Sequence, residues 1–236
     1  MGTRTTKENF LETVADEGPK LFSQLGFYYR QPAVFWRKLG AVEHGFFLTA
    51  DPTPTQFHVS VGAHVPGLEE RFDYIDGEPL TSLVVSRPLG LLRKDGKGER
   101  TIYYFSTVEQ MRGVFPKVYA DFLEEAEPWL ETLVTVDDVA REFHRWRIAP
   151  PSPGETRPPD PFAWAQYGWL LQEAGNRLEA QPWLERALDQ LREPAFYMKG
   201  GAFVPIGTKG ARPVPRLPEE LRLIELLRSD LGVNDE

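Results

Sequence analysis

Phe57-His58-Val59-Ser60-Val61-Gly62-Ala63-His64-Val65 alternates without a break. Phe57, Val59, Val61, Ala63 and Val65 fall on one side, and His58, Ser60, Gly62 and His64 on the other. A period of two over this length predicts a half-buried strand, apolar on one face and solvated on the other. The neighbouring segments Phe27–Arg30, Ala33–Arg37 and Gly45–Thr49 are aromatic-rich and of strand length. Together they place 57–65 at the centre of an antiparallel sheet. Leu80–Arg87 and Arg100–Ser106 then read as a hairpin, with the basic tip Arg93, Lys94, Lys97 and Arg100 between them.

Helices flank these strands. Thr6 to Leu25 carries the stripe Phe10, Leu11 and Val14; Gly18-Pro19 is expected to break or kink it, and Gly26 to end it. Thr107 to Leu133 and Val136 to Trp146 keep near-3.6 spacing and are strongly acidic. Within the first of them Glu124, Glu127 and Glu131 share one helical face, expected to be solvated. The proline-dense run 149–161 holds neither helix nor sheet and is placed as a linker between 1–148 and 162–236. Beyond it, 162–193 reads as a helical hairpin, Ala195 to Arg216 as loop, and Pro218 to Leu231 as a final amphipathic helix closed by Gly232. The fold class is α+β: an antiparallel sheet of about five strands packed with helices, followed by a small all-α C-terminal unit.

Two resemblances accompany this reading. Leu25-Gly26-Phe27, Phe35-Trp36-Arg37, Phe46-Phe47 and Phe57-x-Val59-x-x-Gly62 resemble a group of bacterial domains of unknown function, over roughly residues 8 to 130. That resemblance implies an α+β fold and brings no active site with it. Trp164, Gly168, Gly175, Ala180 and Ala187, followed by Pro194, resemble a single tetratricopeptide repeat. Here Gly168 lets the second helix pack close, Gly175-Asn176 turns the chain, and Leu184 is the large contact between two alanines. Pro182 inside the second helix departs from the pattern. The repeat resemblance implies a protein-binding module.

Composition limits the chemistry. The 236 residues include no cysteine, so disulfides, thiolate metal sites and thiol catalysis are excluded; the expected setting is a reducing cytoplasm. A net charge of -8 argues against general affinity for phosphate backbones. No apolar run reaches the length of a membrane helix, and the first eight residues lack the apolar core of a secretory signal. His58 and His64 lie roughly 20 Å apart along one strand, too far to share a metal. No ligand spacing, serine elbow or Walker order occurs, including in the glycine-rich stretch 200–210. The sequence therefore names no catalytic, cofactor or metal residue.

The leading expectation is a non-enzymatic protein-binding or regulatory protein of the bacterial cytoplasm, for example an immunity-type protein occupied by a basic partner. Its candidate contact residues are Glu124, Glu127, Glu131, Trp164, Trp169, Arg93, Lys94 and Lys97. Two alternatives are a nucleic-acid accessory protein using the basic tip, with Tyr103 and Tyr104 as stacking groups, and a hydrolase whose site the sequence does not announce.

Overall fold

In the computed structural model the described residues are 6–50, 55–68, 71, 83–92, 101–150, 160–192, 197–199, 202–204, 208–209, 212–214 and 216–233. The chain forms two compact units: Met1–Pro66 with Leu83–Val139, and Gly67–Ser82 with Ala140–Glu236. Most of the proline-dense run, 151–159, lies outside the described residues, as does the basic tip at 93–100.

The first unit begins with α1, Lys7–Phe22. Thr6 caps it: its hydroxyl accepts from Asn9 N at 3.3 Å, and the Asn9 side chain answers the Thr6 N–H. The helix runs through Pro19 without a break, tightens into a 3-10 turn at Ser23–Leu25 and stops at Gly26, whose φ of 81° is left-handed. Gly18 lets this helix lie directly on the Phe35 ring, which a Cβ at that position would strike.

Strands β1 (Tyr28–Gln31), β2 (Val34–Leu39), β3 (Val42–Ala50) and β4 (Gln56–His64) follow as an antiparallel meander. Strands β5 (Val85–Pro88) and β6 (Ile102–Tyr104) do not pair with each other, contrary to the hairpin expected from the sequence. Both pair with β4, β5 opposite Ser60–Ala63 and β6 opposite Gln56–His58, so they lie in succession along one edge. Thr101 N donates to Leu89 O at 2.9 Å where one gives way to the other. Strand spacing in sequence does not reveal that two segments share one partner.

One face of the sheet carries the aromatic core. Phe35 stacks on Phe46 at 4.5 Å with 3° between the planes, and Phe22 meets Phe46 at 4.3 Å. Helix α2, Val108–Asp121, adds Met111, Phe115 and Val118 to this layer. The opposite face is not solvated as expected. Trp36, Gly45 and Gly62 stand in register across β2, β3 and β4, and the glycines leave room for the Trp36 ring and Leu83. Ser60 and His64 are 8% and 4% exposed, and the His64 ring meets Trp36 edge-on at 5.6 Å. A face whose middle is glycine reads as polar by composition yet buries readily under an indole.

After α2 the chain makes one π turn at Phe122–Ala126, then the short helix α3, Glu127–Leu130. Helix α4 spans Val136–Phe143 and runs into a second π turn, His144–Ile148.

In the second unit α5, Pro161–Glu173, is capped by Asp160, whose carboxylate accepts from Ala163 N at 3.0 Å. It turns at Gly175, φ 86°, into α6, Arg177–Arg192, which continues through Pro182. Gly168 stands at the crossing: a Cβ there would lie 2.5 Å from Leu184 Cδ2 and 3.3 Å from Ala180 O. The stretch expected as loop contains three short strands, β7 (Tyr197–Lys199), β8 (Ala202–Val204) and β9 (Arg212–Pro213), ordered β8-β7-β9. Two- and three-residue strands are too short for alternation to register. Helix α7, Pro218–Leu231, ends at Gly232 with φ 67°. No helix among the described residues is long and apolar enough to cross a membrane.

Candidate functional site

The acidic face does not stay together. An α-helix would align Glu124, Glu127 and Glu131, but the π turn at Phe122–Ala126 adds a residue to the winding and changes the register. Glu124 and Glu131 remain exposed. Glu127 turns inward and accepts from Arg37 Nη1 at 2.6 Å, the two side chains being 16% and 12% exposed. Glu125 accepts from Gly90 N at 2.6 Å. A face expected to be solvated thus supplies one carboxylate, Glu127, to the interior of its own unit, because β2 carries an arginine that needs a counter-charge there.

Arg37 is the centre of this network. Its Nη1 also donates to Leu25 O at 3.2 Å, its Nη2 donates to His44 Nδ1 at 3.0 Å, and its guanidinium lies 4.7 Å from the centre of the Phe27 ring. His44 is fully buried, and its Nε2–H donates to Leu133 O at 2.8 Å. Accepting on one nitrogen and donating from the other defines the neutral imidazole. Burial, reinforced by the Arg37 charge, pushes the His44 pKa below the usual histidine value, against the opposing Leu133 hydrogen bond and Glu127 charge. Neither ring nitrogen has a position left for substrate. The arrangement ties β2 and β3 to the segment around α3, and it is structural.

Tyr103, expected beside a basic tip, is buried, stacked on Phe57 at 5.1 Å, and donates to Asp121 Oδ2 at 2.8 Å. Burial first, then the Asp121 hydrogen bond, pushes its phenol above the ordinary range. Tyr104 is exposed. Arg93, Lys94 and Lys97 lie outside the described residues.

The second unit carries a surface of which the sequence singled out only Trp164. At the π turn His144–Ile148, exposed Arg145, Trp146 and Arg147 follow half-buried His144. The His144 ring lies 5.0 Å from Tyr167 on α5 and 6.2 Å from Trp183 on α6, and Tyr167 meets Trp183 at 5.2 Å with 79° between the planes. Exposed Arg186 lies 4.0 Å from the centre of the Trp164 ring and 5.8 Å from that of Trp183. Arg145 and Arg147 are steadied by Glu142 and Asp160, each at 3.1 Å. Partial desolvation lowers the His144 pKa. The result is a ridge of half-buried rings edged by guanidinium groups. Its members come from three separate segments, so beyond Trp164 the sequence signal was the density of Trp, Tyr and Arg between 144 and 186.

The two tryptophans expected to meet a partner occupy different settings. Trp164 is 9% exposed beneath Arg186 and belongs to the ridge. Trp169 is fully buried, and its Nε1–H donates to Asp230 Oδ2 at 2.7 Å. Among the described residues no group of three or more His, Asp or Glu side chains is placed to hold a metal ion. Comparison with known proteins finds no matching family model, no matching curated protein and no matching solved structure.

Proposed function

We propose that this protein is a non-enzymatic binding protein that docks a partner protein on the aromatic–arginine ridge of its helical unit. The observation that carries this reading is the half-exposed His144–Tyr167–Trp183 ring cluster, edged by Arg186 on Trp164. Trp, Tyr and Arg are the residues that dominate binding energy at protein interfaces, because each offers large area at low entropic cost together with a polar handle. Rings already packed on one another lose little freedom when a partner covers them. A π turn interrupting a helix is a frequent companion of such sites. The arginines favour a partner that presents carboxylates or backbone carbonyls. An immunity-type role, in which the ridge covers an effector, is one concrete form of the proposal.

The test is affinity capture with the full chain and three variants, followed by identification of what is held and its direct titration. Trp183→Ala and Arg186→Glu should each weaken the purified complex by at least about tenfold, the cost of one hot-spot residue. The pair Glu124→Lys with Glu131→Lys should leave it unchanged. Loss of binding only in the glutamate pair would move the docking surface to the first unit. Turnover of a substrate by the purified chain would replace the reading with an enzymatic one.

A further inference from the structure

The second unit also contains an open cleft of about 430 Å³, distinct from the ridge residues. Its floor is built from positions far apart in the chain. Asp230 on α7 receives two donors, Trp169 Nε1–H at 2.7 Å and Arg71 Nη2–H at 3.1 Å. Arg71 Nη1 reaches Gln172 Oε1 at 3.4 Å, and its guanidinium lies 5.4 Å from the centre of the Trp169 ring. The Arg71 and Asp230 side chains are 30% and 19% exposed. Their charges cancel, and Arg71 keeps donors that neither Asp230 nor Gln172 uses.

The rim behaves differently. Glu173, the last residue of α5, and Arg177, the first of α6, both line the cleft and are exposed. Neither has an ion-pair partner among the described residues. The Gly175 turn separates them, so they stand as one anion and one cation without mutual contact. A simple anion or a simple cation entering here would satisfy one rim charge and oppose the other. A zwitterion satisfies both. Leu68 and Trp169 supply the apolar part of the lining, and the volume is that of a small-molecule site.

We propose that this cleft binds a free α-amino acid, its carboxylate on Arg177 and the unused donors of Arg71, and its ammonium on Glu173. The site is independent of the docking ridge, and neither proposal requires the other.

The experiment uses the full chain. The twenty standard α-amino acids are screened individually by thermal shift at millimolar concentration. The one that stabilises most is then compared by calorimetry with its N-acetyl derivative, which lacks the α-ammonium, and its amide, which lacks the α-carboxylate. The zwitterion should bind at least about tenfold more tightly than either derivative, the ratio expected when one charge-assisted contact is lost. Arg177→Gln should weaken the amino acid several-fold toward the level of its amide, the Arg71 donors still holding the carboxylate, and Glu173→Gln should reduce it to the level of its N-acetyl form. Both substituted side chains are exposed and without ion-pair partners among the described residues, so the melting temperature without ligand should not move. If none of the twenty raises the melting temperature, or if either derivative binds as tightly as the zwitterion, the proposal is overturned. Unchanged affinity in both variants would overturn it equally.

Discussion

Arg37 and Glu127 are 90 residues apart in the chain and meet at 2.6 Å inside the first unit, with Arg37 Nη2 passing on to His44 at 3.0 Å. The pair is nearly buried, so its parts are not interchangeable. Glu127→Ala would leave a guanidinium without its counter-charge and should destabilise the unit by about 3 kcal/mol. Arg37→Met with Glu127→Leu removes both charges and should cost less than Glu127→Ala alone. Glu124→Lys and Glu131→Lys, at exposed positions, should each stay within about 0.5 kcal/mol. Urea denaturation of the unmodified chain and these four variants checks the ordering, and equal losses at Glu127 and Glu131 would contradict a stabilising network at Arg37.

His44 gives the unit a pH dependence of definite sign. Its folded pKa lies below the unfolded value of about 6.5, so the unfolded chain takes up the proton first. The stability it contributes is complete above pH about 6.5 and is lost as pH falls toward and through the lowered folded pKa. His144 shifts in the same direction and acts in the second unit. Urea midpoints recorded from about pH 8 down to about pH 5 should fall, and His44→Gln should flatten that fall while His144→Gln preserves most of it. A midpoint that rises on acidification would contradict the neutral, doubly hydrogen-bonded imidazole.

Two glycines in helices should respond oppositely to alanine. At Gly168 the new methyl would meet fully buried Leu184 at 2.5 Å, so Gly168→Ala should destabilise by about 1–3 kcal/mol through overpacking. At Gly113, exposed on α2 with no atom within 4 Å of the new methyl, Gly113→Ala should stabilise by about 0.5–1 kcal/mol. Thermal melts read both signs. A stabilised Gly168→Ala would mean that α5 and α6 do not cross at this residue.

Asp230→Ala should cost about 2 kcal/mol, because it strands the buried Trp169 N–H as well as Arg71. Asp230→Asn keeps an acceptor for the indole and should cost less. A fragment beginning at Ala140 lacks Arg71 and leaves Asp230 without its cation; it should melt below the corresponding transition of the full chain. If Asp230→Ala and Asp230→Asn melt alike, the indole bond contributes nothing.

The sequence by itself determined what neighbouring residues settle among themselves. Thr6 caps α1, Gly26 and Gly232 adopt the left-handed ends of their helices, and the alternation from Phe57 places Val59 and Val61 in the core. These depend on φ, on a side chain reaching three residues along, or on a period of two, all of them local. Gly168 belongs with them, since α5 and α6 are joined by a short turn and their crossing follows from spacing. Tertiary structure alone decided the rest. The common partner of β5 and β6, the cover over Gly45 and Gly62, and the inward turn of Glu127 past a π turn each depend on a distant segment. The cleft is the extreme case: Arg71 and Asp230 are 159 residues apart, and no pattern in either neighbourhood marks them as partners. A charge in a sequence reads as solvated until the fold brings an opposite charge close enough to offset its desolvation, and that encounter is a property of the packed chain.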